Sequence, residues 1–573
     1  MFLILIVSVL LIVAPSDISG YSLSGNYPVI PGESIISEDS SLVGMAGVER
    51  DTTNRPDEEP AVKEEEGETE SGPAVELANR KVVEDALTVL VNRNGIIPLQ
   101  DIDKGRFAIL TIGEADVFAS RLNVFIDMPV IRLDVCSARS IKAGLLKLAQ
   151  YDRIIAGISA VELPHHHDYS YVLNDLMQIL DEKESVTVFF GSPSELAEWE
   201  GIENNDGLLM AYDDSVLAQD LSAQLIFGAI GALGTLPGPA GDHFPEGWGM
   251  PTTGGLRLKY TIPEEAGLDS RLLNHRVDSI INRGIDLQAF PGCRVLVAKG
   301  GKVILDKARG YHTYYGRVTV ERDDLYDLAS VTKISGPLPL YMNLVDNGDL
   351  DLDLPLSYYW NNWKKGLFRW SNKENLILRD ILTHQAGIRP GMNFWEQTLR
   401  RGHYKRRWYR HEPVDGYKVE IGSHFYLRDN IHERVYNDIR KSQLLSHGEY
   451  RYSGLFFIVS PAVIETIDGR SYTDALYDDF YKPIGASTLR YNPLDHFPGH
   501  RIVPTEVDNN FRRKLVHGYV HDESSAVLGG ISGNAGLFSS AGDLAKLLQM
   551  FLNGGEYGGR RYLSQEVITE FTR

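Results

Sequence analysis

Cysteine is nearly absent from this sequence, since only Cys136 and Cys293 occur in 573 residues. The two fall in different predicted domains, so we expect no disulfide between them, and two thiols are too few for a cysteine-based metal site. Positive charge is also in deficit, because 57 Lys and Arg against 78 Asp and Glu give a net charge of -21. That balance argues against general affinity for nucleic acid.

Long apolar runs are scarce, and the run at residues 2–13 is too short for a comfortable membrane span. At an N-terminus such a run is typical of a signal peptide, although no Lys or Arg precedes it here. We predict that residues 1–20 are a signal peptide or an anchor and that the protein is secreted or periplasmic. Residues 21–74 are predicted to be an acidic disordered linker, because acids, Pro, Gly and Ser dominate them.

Residues 75–240 show apolar segments that alternate between strand-like and helix-like spacing. Such alternation predicts an open, mostly parallel sheet covered on both faces by helices. The predicted strands are 106–113, 153–158, 185–191 and 207–212, and the predicted helices are 77–91, 140–149, 171–180 and 215–227.

The stretches 86–99 and 224–237 give this region a resemblance to the C-terminal α/β sandwich of family 3 glycoside hydrolases. In that family the sandwich follows a barrel that carries the catalytic aspartate, and no barrel fits before residue 75. The resemblance therefore implies a scaffold without a glycosidase site. His165-His166-His167 is predicted to be a surface loop, since adjacent histidines cannot all face one metal ion.

The chemistry centres on Ser330-Val-Thr-Lys333, which follows a short apolar run. A serine hydroxyl is a poor nucleophile until a base removes its proton. A lysine three residues later on a helix lies one turn away on the same face, within reach of that hydroxyl. Pro337 and Pro339 follow early in the same helix, so we expect a kink or a widened first turn there.

Several separated segments support a family resemblance over residues 262–573. They are 291–310, read as two strands around Gly300-Gly301; Leu382-Thr-His-Gln-Ala-Gly387; Tyr450-Arg-Tyr452-Ser453-Gly454; and Leu528 to Ser539. Together with Ser-x-x-Lys they resemble the serine β-lactamases, penicillin-binding proteins and related esterases, nearest the class C-like members. The expected fold class is α/β plus α+β: the open sandwich followed by a β-lactamase/transpeptidase-like domain. Its first helix is expected to have Asp269 or Ser270 as N-cap.

The resemblance implies roles for three residues. Ser330 would attack a carbonyl and form an acyl-enzyme, Lys333 would share the proton and hold Tyr452, and Tyr452 would activate the serine and later the water. Gly454 and Asn534 depart from the residues common in the family, and the segment around Asn534 is predicted to be structural. No cofactor and no metal ion is expected.

A third family motif, Lys-Thr-Gly or His-Thr-Gly, is not found after Leu552. In the family this motif lies on a strand that completes the oxyanion hole. We therefore expect an incomplete catalytic domain, truncated at its C-terminus, without the closing strands and weak or inactive as a hydrolase.

The sequence thus predicts a serine hydrolase that cleaves amide or ester bonds, among which β-lactams, D-amino-acid peptides and esters stay open. A small-molecule or peptidoglycan-derived peptide substrate and a place in cell-wall metabolism would fit. The alternative is a binding or scaffold protein derived from such an enzyme. The six cations of segment 400–410 either bind an anionic glycan or peptide carboxylate, or form the solvated rim of a loop.

Overall fold

The computed structural model describes residues 9–14, 72–134, 137–159, 167–366 and 370–573. Most of the predicted export segment and linker, Cys136 and the first two residues of the histidine triplet lie outside these ranges. Among the described helices, none combines the length and the apolar character needed to cross a membrane.

The first large unit is a six-stranded sheet with helices on both faces. Strands β2 to β7 have the order β2-β7-β6-β5-β3-β4, and all neighbours are parallel except β2 and β7. The elements are β2 (Thr88–Asn92), β3 (Phe107–Ile112), β4 (Val130–Leu133), β5 (Arg153–Ser159), β6 (Glu184–Phe190), β7 (Gly207–Met210), α1 (Pro73–Ala86), α2 (Asp116–Phe125), α3 (Ala138–Leu148), α4 (His167–Glu182), α5 (Pro193–Leu196) and α6 (Val216–Ile226). The predicted open, mostly parallel sandwich is confirmed.

Several details of the sandwich differ from the sequence prediction, which did not include helices α2 and α5. The helix predicted over 77–91 ends at Ala86, and residues 88–92 form an antiparallel edge strand instead. Thr88, Val89 and Leu90 are almost fully buried, so pairing with β7 outweighs the helical spacing. The short strand β4 was not predicted, because its four residues carry too little pattern.

The second unit begins at residue 259 and is built on an antiparallel hairpin. Strands β9 (Gly292–Lys299) and β10 (Lys302–Gly310) flank Gly300 and Gly301, as predicted, and β8 (Lys259–Tyr260) extends the sheet beyond β10. Val295 and Val297 pack with helix α7 (Ser270–Asp286) on one face, whereas Leu296 and Ala298 join the main core on the other. Asp269 caps α7 by accepting a hydrogen bond from Leu272 N–H.

The outer edge of β9 is occupied by strand β1 (Val9–Ala14). It pairs in parallel from Val9 opposite Arg294 to Ala14 opposite Lys299. An apolar segment from the N-terminal region therefore covers this edge of the hairpin sheet. The export role of residues 1–20 remains a prediction.

Helices and short strands complete this unit and wrap around the hairpin sheet. They are β11 (Tyr326–Asp327), α8 (Thr332–Ser335), α9 (Pro337–Asp346), α10 (Leu356–Tyr359), α11 (Leu378–Leu382), β12 (Leu399–Arg400), β13 (His403–Tyr404), β14 (Tyr409–Arg410), β15 (Val419–Gly422), β16 (Phe425–Leu427), α12 (Ile431–Lys441), α13 (Leu455–Asp468), α14 (Tyr472–Leu476), β17 (Arg490–Tyr491), β18 (Glu506–Asp508), β19 (Lys514–Val516), α15 (Glu523–Ala526), β20 (Leu537–Ser539), α16 (Ala541–Leu552), β21 (Glu556–Tyr557), β22 (Arg560–Arg561) and α17 (Gln565–Thr572).

The two units are joined by buried polar contacts. Lys546, on α16, donates from Nζ to the carbonyls of Phe125 (3.0 Å) and Gly485 (2.6 Å) and to Asp543 (2.8 Å). Phe125 ends α2 of the sandwich, so this lysine connects both units. Arg257 donates to the carbonyls of Leu99 and Phe227 in the same boundary region. The segment that leads from the sandwich to the second unit also packs on the sandwich, where Met250 N–H donates to the Val89 carbonyl.

The helix after Ser330 is broken at Gly336, as the two prolines predicted. Helix α8 ends at Ser335, and α9 begins with Pro337 at its first position, where a missing N–H does no harm. Pro339 cannot donate to the carbonyl of Ser335, and the buried Tyr481 hydroxyl donates to it instead at 2.7 Å. A kink with its own hydrogen-bond partner therefore positions the short helix that carries Lys333.

We predict that Gly336→Ala destabilises the protein. A Cβ at this position would lie 2.7 Å from the Tyr472 hydroxyl, 2.8 Å from the Thr332 carbonyl oxygen and 2.9 Å from the Tyr491 hydroxyl. Such overpacking costs about 1–3 kcal/mol, measured by urea unfolding. Gly238→Ala is the matched control, because nothing lies within 4 Å of its Cβ position. Equal stability of the two variants would contradict the prediction.

Candidate active site

Ser330 and Lys333 meet at the start of the broken helix. Ser330 lies in a 3₁₀ turn, Ala329–Val331, that leads directly into α8. The Lys333 Nζ is 3.0 Å from the Ser330 Oγ, so the spacing of three residues produces the expected contact. Ser330 is exposed, whereas Lys333 is only 7% exposed. The arrangement places an amine from the protein interior against a hydroxyl that solvent and substrate can reach.

A strained turn presents Ser330. Ala329 has φ +44°, a left-handed conformation that is uncommon for alanine, and its N–H donates to Asp327 at 2.8 Å. The other oxygen of Asp327 accepts the His521 N–H at 2.6 Å. Burial raises the pKa of the Asp327 carboxyl above its usual range, although these two N–H groups oppose the rise. Asp327 thus ties the nucleophile turn to the segment before α15.

The second acceptor of Lys333 is the Asn534 carbonyl, at 2.9 Å. The Asn534 side chain accepts from Ser525 and Ser532 and donates to Asp522, so its position is fixed by three groups. The segment predicted to be structural therefore does contact the lysine, through its backbone. A side-chain substitution at Asn534 leaves the carbonyl in place, which explains why the departure from the family does not remove this contact.

Tyr452 lies beside Lys333 with its ring toward the ammonium group. The Lys333 Nζ is 5.1 Å from the centre of the Tyr452 ring and 5.8 Å from that of Phe457. These are cation–π distances. Tyr452 is 40% exposed and Ile334 is 45% exposed, so the site is an open surface rather than an enclosed pocket. The structure brings Ser330, Lys333 and Tyr452 together.

His384 belongs to the same site, although no role was predicted for it from the sequence. Its ring centre is 4.7 Å from that of Tyr452 and 5.7 Å from that of Phe457. Its Nδ1 lies 3.2 Å from the Ser453 N–H. Burial, helped by the charge of Lys333, holds the pKa of His384 below its ordinary value. The motif Leu382-Thr-His-Gln-Ala-Gly387 had marked the segment, but only the fold places it beside Tyr452.

The cationic segment contains the small strands β12, β13 and β14. We call the exposed residues Arg400, Arg401, Arg406, Arg407 and Arg410 the cationic surface. None of them pairs with a carboxylate within the described ranges. The neighbouring Glu420 accepts from Tyr519 at 2.8 Å, and the Ser524 hydroxyl donates to the Met392 carbonyl. These contacts join the segment to the part of the chain that holds Asn534.

No group of three or more His, Cys, Asp or Glu side chains in the described ranges is arranged to hold a metal ion. The histidine triplet stays outside this statement, since its first two residues are not described and nothing is known of the third side chain. The Lys333 amine contacts the Ser330 hydroxyl and lies beside the ring of Tyr452. The chemistry of these groups is proton transfer and nucleophilic attack.

Comparison with known proteins gives a match to the family model described as Beta-lactamase, over residues 277–572. This is more than half of the chain and contains Ser330, Lys333, His384 and Tyr452. A protein of Salmonella gallinarum named "Putative D-alanyl-D-alanine carboxypeptidase" is 29% identical over 338 residues, covering 55% of this chain and 72% of the relative. A protein of the same name from Salmonella enteritidis has the same identity and coverage.

Solved structures show more distant likeness. The octameric penicillin-binding protein homologue from Pyrococcus abyssi is 21% identical with a TM-score of 0.39, covering 52% of this chain and 60% of that one. A class C β-lactamase from Rhodobacter sphaeroides is 20% identical with a TM-score of 0.35, covering 51% and 68%. At such scores neither structure bears on substrate or mechanism.

Proposed function

This chain is a member of the Beta-lactamase family of serine hydrolases, and on that premise we propose that it cleaves amide or ester bonds through an acyl-serine intermediate on Ser330. The observation that carries the proposal is the 3.0 Å contact between a buried lysine amine and an exposed serine hydroxyl. A base held at hydrogen-bond distance is what serine needs to become a nucleophile.

In the proposed reaction the Ser330 Oγ attacks the carbonyl carbon while its proton passes to the Lys333 and Tyr452 pair. The same pair returns a proton to the departing amine or alcohol, which leaves an ester between Ser330 and the acyl group. Water then attacks this ester, with its proton taken up by the pair, and Ser330 is restored. Lys333 serves both steps because its amine reaches the hydroxyl while the Asn534 carbonyl holds it in place.

For the substrate we propose a peptide that ends in D-amino acids, derived from the cell wall, with a secreted or periplasmic site of action. Support comes from the names of the Salmonella relatives, which align over 72% of their length. The open surface around Ser330 suits a chain-like substrate. β-Lactams and simple esters react by the same acyl-serine route, so they serve as the competing substrates in the test below.

The cationic surface would give such a substrate a second point of attachment. Its five guanidinium groups lack carboxylate partners in the described part of a chain whose net charge is -21. Unpaired arginines attract carboxylates or phosphates, which a cell-wall peptide or glycan carries. The second interpretation, a merely solvated rim, predicts no dependence of KM on these charges.

We predict that Arg406→Gln/Arg407→Gln raises KM for an anionic peptide substrate by up to about fivefold per charge removed at low salt. The increase should shrink at high salt, because exposed charges are screened. kcat and the hydrolysis of a neutral ester should stay unchanged. Lys104→Gln, an exposed lysine on the sandwich, is the control. Unchanged KM for the anionic peptide at low salt would favour the solvated rim.

The proposed function is tested with a substrate panel. A peptide ending in D-Ala-D-Ala, a chromogenic cephalosporin and a p-nitrophenyl ester are each incubated with the wild type and with Ser330→Ala. We expect release of D-alanine to give the highest kcat/KM of the three, and Ser330→Ala to abolish all turnover. A preference for another compound would correct the substrate class. No turnover of any compound would favour the binding or scaffold alternative.

A further inference from the structure

His384 accepts hydrogen bonds from the residues on both sides of Tyr452. Its backbone carbonyl accepts the Arg451 N–H at 2.8 Å, and its ring Nδ1 accepts the Ser453 N–H at 3.2 Å. Next to it, the Gln385 carbonyl accepts the Gly448 N–H at 2.8 Å. The turn after α11 therefore fixes the residue before Tyr452 and the residue after it.

The backbone of His384 has a strained conformation that allows both hydrogen bonds to form. Its φ is +61°, a left-handed value that only glycine and a few polar residues adopt readily. A residue is kept in such a conformation when the surroundings require it, and these conformations concentrate at functional sites. Here the conformation allows one residue to offer a carbonyl and a ring nitrogen to the same loop.

We propose that His384 is a positioning residue that holds Tyr452 beside Lys333 by binding the loop on both sides of the tyrosine. The proposal deepens the proposed function and rests on it, since Tyr452 matters only if Ser330 is acylated. The imidazole acts through Tyr452, whose ring it contacts, and takes no part in bond making. Its proton must lie on Nε2, because Nδ1 accepts a hydrogen bond.

This geometry makes the hydrogen bond from Ser453 N–H to His384 Nδ1 sensitive to pH. A protonated His384 carries hydrogen on both nitrogens and cannot accept from Ser453. The titratable or charged groups that face it are Lys333 from α8, and Tyr450, Arg451 and Tyr452 from the loop before α13. Burial, and after it the charge of Lys333, disfavours the protonated form, so the neutral form that accepts from Ser453 persists to below the ordinary histidine pKa. The hydrogen bond from Ser453 to His384 is therefore lost as the pH falls through the lowered pKa of His384.

Two substitutions separate positioning from mere stability. His384→Ala removes the ring acceptor. His384→Asn keeps an acceptor, because its amide oxygen can take the place of Nδ1, and asparagine tolerates positive φ. We expect His384→Ala to lower the acylation rate of Ser330 about 10²-fold through displacement of Tyr452, with KM little changed. His384→Asn should stay within about fivefold of the wild type and should lack the wild-type loss of rate at low pH that comes from His384.

Hydrogen exchange supplies the readout that does not need activity. We expect the Ser453 amide to exchange about tenfold faster in His384→Ala than in the wild type, and near the wild-type rate in His384→Asn. Equal protection in all three proteins, or an asparagine variant as impaired as the alanine variant in rate and exchange, would overturn the proposal. If the wild type forms no acyl-enzyme, the proposed function fails, and the exchange measurement still decides whether His384 holds the loop.

Discussion

Lys333→Ala is expected to lower the rate of Ser330 acylation by about 10²–10⁴-fold, the usual range for a lost proton-transfer group. The substitution removes the amine 3.0 Å from the Ser330 hydroxyl and leaves the Asn534 carbonyl without its donor. Stopped-flow measurement with an excess of a p-nitrophenyl ester gives the acylation rate directly. Binding of the ester should change little, since the lysine is almost fully buried.

The partner substitution tests whether the lysine works with Tyr452 as one unit. If it does, Lys333→Ala/Tyr452→Phe should be little worse than the worse single variant, because groups that share one proton path are not additive. Strictly additive losses would contradict a shared path. Ile334→Ala, an exposed neighbour on α8, is the control for disturbance of the helix and should acylate within about fivefold of the wild type.

Lys546→Met is expected to give the largest loss of stability, about 3–5 kcal/mol by urea unfolding. Lys546 is 3% exposed and donates to two carbonyls, one in each unit, and to Asp543. Methionine fills much of the space, but it leaves the carboxylate and both carbonyls without this donor. Since those groups stay buried, their desolvation is not compensated.

Lys104→Met is the matched control for this prediction. Lys104 pairs with Asp101 at 2.9 Å with the same sequence separation of three residues, but its side chain is 67% exposed. Exposed pairs of this kind contribute about 0–1 kcal/mol. The two variants remove the same chemical pair and differ in burial. Similar losses from both would show that the contact between the units does not carry the expected energy.

Local sequence patterns predicted much of the fold but not the arrangement around Tyr452. Three features depend on residues close in sequence, so their geometry could be predicted: the Gly300-Gly301 hairpin, the helix break at Gly336 and the Ser330–Lys333 contact. The role of His384 depends on a positive φ and on contacts with residues about 70 positions later. Neither is visible in a pattern of residue types.

The same limit explains the errors. Residues 88–92 have spacing that suits a helix, but burial against β7 makes them a strand. The strand that covers the outer edge of β9 was not predicted either. This strand, residues 9–14, lies about 280 residues before β9, and nothing local to either strand indicates the pairing.

The most direct test of the account is the mass of the protein after reaction with a fluorescent penicillin or a fluorophosphonate. We predict one added acyl or phosphonyl group, located by peptide mapping on the peptide that contains Ser330, and no addition in Ser330→Ala. An adduct on another residue, or the same adduct in Ser330→Ala, would contradict the assignment of Ser330. A folded wild-type protein that stays unmodified by both probes would contradict the proposed hydrolase itself.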